Sequence, residues 1–259
     1  MCRMRGELLK IYVLGDSHVV AIERALKARR AARGLSDREE RMFVSRFARI
    51  KNGVALEGVT LEDIATMLQA DSDAIVVSMV GGNQSNMFGM MRHSVAFDFF
   101  EPSLPDLPAA ESAQLIPVAM IEQKFHDAVD RREGHHLRAL RCAFTGPIVH
   151  VLPPPPKKDN EFIRTKAETF FLERDIASIG VSPAPLRLKL WALQARITEA
   201  LCAELDVDVL PPPAEAVTEK GFLAKEYYGR DATHANGRYG ESVLEQIFEV
   251  ASRHEAALS

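Results

Sequence analysis

Five short apolar runs rich in Val and Ile, at 9–14, 42–47, 74–80, 147–152 and 207–210, constrain this chain more than anything else in it. Runs of this length and composition read as strands buried on both faces, the signature of a parallel sheet. Between and after them lie stretches with helical spacing, at 19–32, 61–69, 112–142, 161–179, 186–205 and 239–257. Strand and helix therefore alternate, which predicts a three-layer α/β/α domain with a parallel sheet of about five strands. Its ligand crevice is expected at the carboxyl ends of the strands. At 259 residues one domain is expected. The 112–142 stretch is long for one helix and predicts a break near Gly134, within a charged and solvated segment. Two stretches interrupt the rhythm, residues 85–110 and the run Pro153-Pro154-Pro155-Pro156. The first reads either as a lid over the strand ends or as an insertion packing Phe97, Phe99 and Phe100, and the second as a stiff strand exit.

Chemistry-bearing residues cluster where the runs end. Gly15-Asp16-Ser17-His18 follows the first run and puts a serine hydroxyl at a strand-to-helix turn. Near the other end, Asp231-Ala232-Thr233-His234 lies in a polar loop with Asn236 and Gly237, so an imidazole base and a carboxylate come off one loop. A serine hydroxyl needs such a base to accept its proton, and imidazole titrates near neutral pH. His234 is the candidate base and Asp231 its orienting group, with an N-cap of the last helix and a solvated loop histidine as the plainer roles. Gly81-Gly82-Asn83 closes the third run and offers Asn83 as a side-chain amide donor. Asp16 is expected to hold its turn, and His18 either lines the cleft or begins a helix. Tyr227 and Tyr228 are close enough in sequence to reach the cleft or to pack beneath the loop. Trp191 is expected to pack.

Together these blocks resemble the SGNH (GDSL-type) serine hydrolases along nearly the whole chain. The resemblance implies a flavodoxin-like sheet and a catalytic triad of Ser17, His234 and Asp231. It also implies an oxyanion hole from the Ser17 N–H, the Gly58 N–H and Asn83. Gly58-Val59-Thr60 with Asp63 fits the family's glycine block, and Gly53 is its rival. Gln84 stands where many members carry aspartate and His18 where leucine is common. The implied activity is hydrolysis of a short acyl ester, such as an O-acetyl group on a glycan or polar metabolite, through an acyl-enzyme. Acyl transfer from the same serine, or non-catalytic carbohydrate binding on the same fold, are the alternatives. No cofactor is expected.

The remaining composition excludes other classes. A hydrophobic content of 47% with 26% charged residues is that of an ordinary globular protein rather than a disordered one. The net charge of −4 offers no footprint for nucleic acid. Cys2, Cys142 and Cys202 have neither disulfide nor zinc spacing, and the histidines lack a ligand motif. Gly81-Gly82 lacks the Gly-x-Gly-x-x-Gly of a dinucleotide site. Arg3 and Arg5 precede an apolar run, but no small-residue cleavage site stands ahead of Ser17 and no run is long enough to span a bilayer. A cytoplasmic protein with no membrane partner is expected. The oligomeric state is not legible.

Overall fold

The computed structural model describes residues 8–48, 50–51, 54–71 and 73–257; Cys2, Arg3, Arg5 and Gly53 fall outside them. The five apolar runs form five parallel strands, β1 (Lys10–Gly15), β2 (Met42–Arg46), β3 (Ala74–Met79), β4 (Ile148–Val151) and β5 (Asp208–Leu210), in the order β2-β1-β3-β4-β5. β3 is buried at all six positions, as its predominantly hydrophobic sequence predicts, and its one polar side chain, Ser78, is paired with the buried His150 at 3.2 Å. Side chains alternate across the sheet: Ile11 and Val13 join one apolar cluster, Tyr12 and Leu14 the other.

Helices cover both faces. Helix α1 (Val19–Arg33) and the last helix, here labelled in chain order after α2 (Leu61–Ala70), α3 (Gln84–Gly89), α4 (Val118–Val129), α5 (His135–Ala143) and α6 (Ala184–Glu204), as α7 (Gly237–Ala257), pack on the Ile11 face. Residues of α2, α4, α5 and α6 cover the Tyr12 face. Strand order reverses direction between β1 and β3, so the loops after these two strands leave toward opposite faces and open a crevice. Ser17 and Asn83 stand at that crevice.

Three expectations need correction. The 112–142 helix begins only at Val118, after Pro117, and it is not broken near Gly134. Instead Asp130–Gly134 forms a π-helical turn that runs directly into α5, and Glu133 and Gly134 are buried rather than solvated. The 161–179 stretch is three short helices, Asn160–Thr165, Thr169–Leu172 and Ile176–Ile179. Asp159 caps the first through the Phe162 N–H, and Asp175 caps the third from a left-handed conformation at φ 58° that no continuous helix admits. Within residues 85–110, Phe97 and Phe99 are buried in the main core while Phe100 is exposed, and Asp98 pairs with the buried Lys189 at 2.9 Å. Met87 is the residue of that segment that borders the crevice. No helix among the described residues is long and apolar enough to cross a membrane.

Helices α1 and α7 meet at backbone distance. A Cβ on Gly240 would overlap the Ala21 carbonyl, so the Gly240→Ala variant must push the two helices apart. We expect a loss of about 3 kcal/mol, read as a lower urea midpoint at unchanged slope.

Candidate active site

Ser17 is placed by the turn that leaves β1. Gly15 lies against the end of β3, where a Cβ would overlap the Met79 carbonyl, and the Asp16 N–H donates to that carbonyl at 3.1 Å. The Asp16 carboxylate accepts the Gly81 N–H at 2.9 Å and pairs with Arg132. Asp16 thus holds the turn, as its position next to the serine suggests. His18 is the N-cap of α1 without a side-chain capping bond, and it also lines the cleft. Burial, with the nearby His234, pushes its imidazole down to about 4, so it stands neutral.

The two ends of the chain meet at this serine. His234 Nε2 lies 2.7 Å from Ser17 Oγ, and His234 Nδ1 lies 3.0 Å from Asp231 Oδ2. A carboxylate only accepts, so Nδ1 carries the proton and Nε2 is free to accept from the serine hydroxyl. Asp231 is not an N-cap of α7. Its Oδ1 accepts the main-chain N–H groups of His234 at 2.8 Å and Thr233 at 3.2 Å, folding the loop around itself, while Asn236 Oδ1 accepts the N–H groups of Arg238 and Tyr239 at the start of the helix. Burial alone would raise the Asp231 carboxyl. The hydrogen bonds from His234 and the charge of Lys157 outweigh it and hold the carboxyl well below the usual range.

Beside Ser17, Gly58 and Asn83 border the same groove. Gly58 has φ 119° and its α-carbon lies against the Arg46 carbonyl, a conformation and an approach that exclude a side chain. Thr60 then caps α2 in a capping box with Asp63, as the sequence pattern implies. Asn83 precedes α3 and spends no side-chain bond on capping it. Gly81 and Gly82, at φ 76° and 84°, carry the chain from β3 to Asn83.

Four residues of the site carry no local sequence signal. Arg132 and Glu133 arrive on the π-turn: Arg132 on Asp16, and Glu133 under the glycine loop, accepting the Gly82 N–H at 3.0 Å. Glu168 accepts from the Thr233 hydroxyl and N–H, and Lys157 donates to the Asp231 carbonyl. Tyr227 is buried in the core beneath the loop, and the Tyr228 ring lies 5.0 Å from Lys157 Nζ, so both tyrosines pack there. Trp191 donates to the Pro153 carbonyl at 3.2 Å, tying α6 to the proline exit from β4.

Two cavities flank Ser17. One, of about 160 Å³, is walled by Val20, Ala21, Val80, Val151, Leu152 and Pro153 and bounded by His18 and His234. The other is an open polar groove of about 790 Å³ that runs past Asn83, Gln84, Arg46, Glu57 and Arg132. Glu168, Asp231 and His234 are the one group of potential metal-ligand side chains gathered within 4.8 Å among the described residues. In this group Asp231 is hydrogen-bonded to His234, and His234 in turn to Ser17.

The sequence matches no protein-family model and no curated protein sequence. Among solved structures it is similar to a GDSL-like lipase from Bacteroides thetaiotaomicron, at 13% identity over 98% of this chain and 92% of that one, with a TM-score of 0.47. It is similar also to a carbohydrate acetylesterase from Sinorhizobium meliloti, at 11% identity over 93% and 99%, TM-score 0.47. A third is an aryl esterase from M. smegmatis, at 10% over 93% and 99%, TM-score 0.44. These likenesses are distant.

Glu133 gives the site a pH signature. Burial pushes its carboxyl up to about 7, against the Gly82 N–H that favours the anion. A folded value above the unfolded one means the native state holds this proton more tightly, so the residue subtracts stability as pH rises from about 4.5 to about 7. Glu133→Gln keeps the acceptor for Gly82 and removes the charge. We expect the variant to match the wild type near pH 4 and to exceed it by ~3 kcal/mol at pH 8, read by urea denaturation at both pH values. The buried neutral His18 and His150 act in the opposite sense but equally in both proteins.

Proposed function

We propose that the protein is a serine ester hydrolase of the SGNH type, with Ser17 as nucleophile, His234 as general base and acid, and Asp231 as its orienting carboxylate. The continuous hydrogen-bonded line from Asp231 through His234 to Ser17, at 3.0 and 2.7 Å, carries the reading. In the first half-reaction Ser17 Oγ attacks the ester carbonyl as its proton passes to His234 Nε2. The tetrahedral oxyanion is received by the Ser17 and Gly58 N–H groups and by Asn83 Nδ2. Collapse expels the alcohol, which takes the proton back from Nε2 and leaves an acyl group on Ser17. Water then repeats the cycle and releases the acid.

The two cavities support a division of the substrate. A space of about 160 Å³, lined by aliphatic side chains together with Arg24 and Tyr239, suits a short acyl group, since a cavity of roughly 150 Å³ is about the size that takes benzene. The open polar groove suits a hydrophilic alcohol such as a sugar or another polar metabolite. An O-acetyl ester of such an alcohol satisfies both.

Hydrolysis of p-nitrophenyl acetate, butyrate and octanoate tests this. We expect acetate and butyrate to be preferred over octanoate. Ser17→Ala and His234→Ala should each lower kcat/KM by about a thousandfold or more, and Asn83→Ala by about a hundredfold. Turnover that survives Ser17→Ala would overturn the assignment, and product partitioning with added alcohol acceptors separates hydrolysis from acyl transfer.

A further inference from the structure

Thr233 and His234 face a second carboxylate, from a part of the chain that no motif connects to them. Glu168 stands at the N-cap of the short helix Thr169–Leu172. Its Oε1 accepts both the Thr233 hydroxyl and the Thr233 N–H, the latter at 3.2 Å, and lies 3.8 Å from His234 Nδ1. Its Oε2 is buried and makes no hydrogen bond among the described residues. Asp231 Oδ2 approaches the same Nδ1 at 3.0 Å, so the back of the imidazole is bracketed by two carboxylates.

We infer that Glu168 is a positioning residue that works beside Asp231, anchoring the histidine loop through Thr233 and supplying a second negative charge to His234; the inference rests on the hydrolase reading above. The charge arithmetic of the pocket favours it. The groups nearest His234 are Asp231, Glu168, Lys157 and the neutral His18, with Arg24 on the wall of the same cavity and Asp16 and Arg132 paired to each other beyond it. Lys157, which donates to the Asp231 carbonyl, is the cation nearest the two carboxylates, and burial pushes its ammonium down to about 8. Two carboxylates against one ammonium leave a negative charge that an imidazolium cancels as it forms. That charge is present before the proton moves, so it lowers the cost of the step in which Ser17 gives up its proton. Nor is the anchoring role redundant with the charge: the carbonyl of a glutamine would still accept from Thr233.

Glu168→Gln therefore separates charge from anchoring, while Glu168→Ala removes both. Each variant, with Asp231→Asn and the Asp231→Asn/Glu168→Gln double, is assayed on p-nitrophenyl acetate from pH 5 to 9. His234 is followed in parallel by imidazole NMR titration, with far-UV circular dichroism as the check on folding. For Glu168→Gln we expect kcat to fall about tenfold at a KM within about twofold. The acid limb of its kcat/KM profile and the His234 titration midpoint should both move to lower pH, by about half a pH unit or more. The double variant should fall below Asp231→Asn alone. A Glu168→Gln protein with wild-type kcat and an unmoved His234 midpoint would overturn the inference and leave Glu168 as a loop anchor. Because the NMR midpoint needs no turnover, it decides the role of Glu168 even where esters are not cleaved. A wild type that neither hydrolyses esters nor is labelled on Ser17 by a phosphonate overturns the hydrolase reading instead.

Discussion

The Asp16 carboxylate ties together three pieces of chain that would otherwise be independent. It accepts the N–H of Gly81 at the end of β3, it follows directly on β1, and it pairs with Arg132 on the π-turn. Because β1 and β3 are neighbours in register, with Gly15 opposite Met79, this one carboxylate fixes the spacing between the serine turn and the glycine loop. Glu133, the next residue of the π-turn, then supports that loop from beneath through Gly82. The distance between Ser17 and Asn83 is thus set by the pairing of β1 with β3, by the Asp16 carboxylate and by the buried Glu133 of the π-turn. A π-turn inside a helix is a local departure from the best hydrogen-bond geometry, and such departures gather at functional sites. Here it delivers two consecutive side chains to one point, which a regular helix, with successive residues about 100° apart, would do less readily.

Charge around the site is arranged in depth. Glu133 and His18 are held toward their neutral forms by burial, whereas Asp231 is held ionised by the groups that donate to it. The imidazole of His234 stands between a serine hydroxyl on one side and the carboxylates of Asp231 and Glu168 on the other.

Much of this was readable before any coordinates. The strands announce themselves because a parallel strand buried on both faces must be predominantly apolar, as β3 is at every position but Ser78. The serine, histidine and asparagine blocks are legible because each is local and a few residues long, the serine and asparagine next to a strand end and the histidine just ahead of the last helix. The rest was hidden for physical reasons. Glu133 lies in a run of charge, Arg131-Arg132-Glu133, that periodicity assigns to solvent, and only the extra residue of the π-turn rotates it inward. The 161–179 stretch has helical spacing, yet Asp159, Glu168 and Asp175 each stop or start a turn there. In hindsight these acidic residues, each before a short apolar group, were the available signal. Glu168 meets Thr233 across 65 residues of sequence, and no pattern along the chain encodes such a meeting.

Ser17 and His234 are 217 residues apart, and the helix that follows His234 is seated by the backbone contact between Gly240 and Ala21. A chain leaving the ribosome displays its serine turn first and its base last, with every strand of the sheet made in between. The hydrogen bond between Ser17 and His234 joins the two ends of the chain beside the seam of α1 and α7. The Ser17–His234 pairing can therefore form only after every strand of the sheet has been synthesised, and it carries the loop-closure cost of a contact that spans most of the chain.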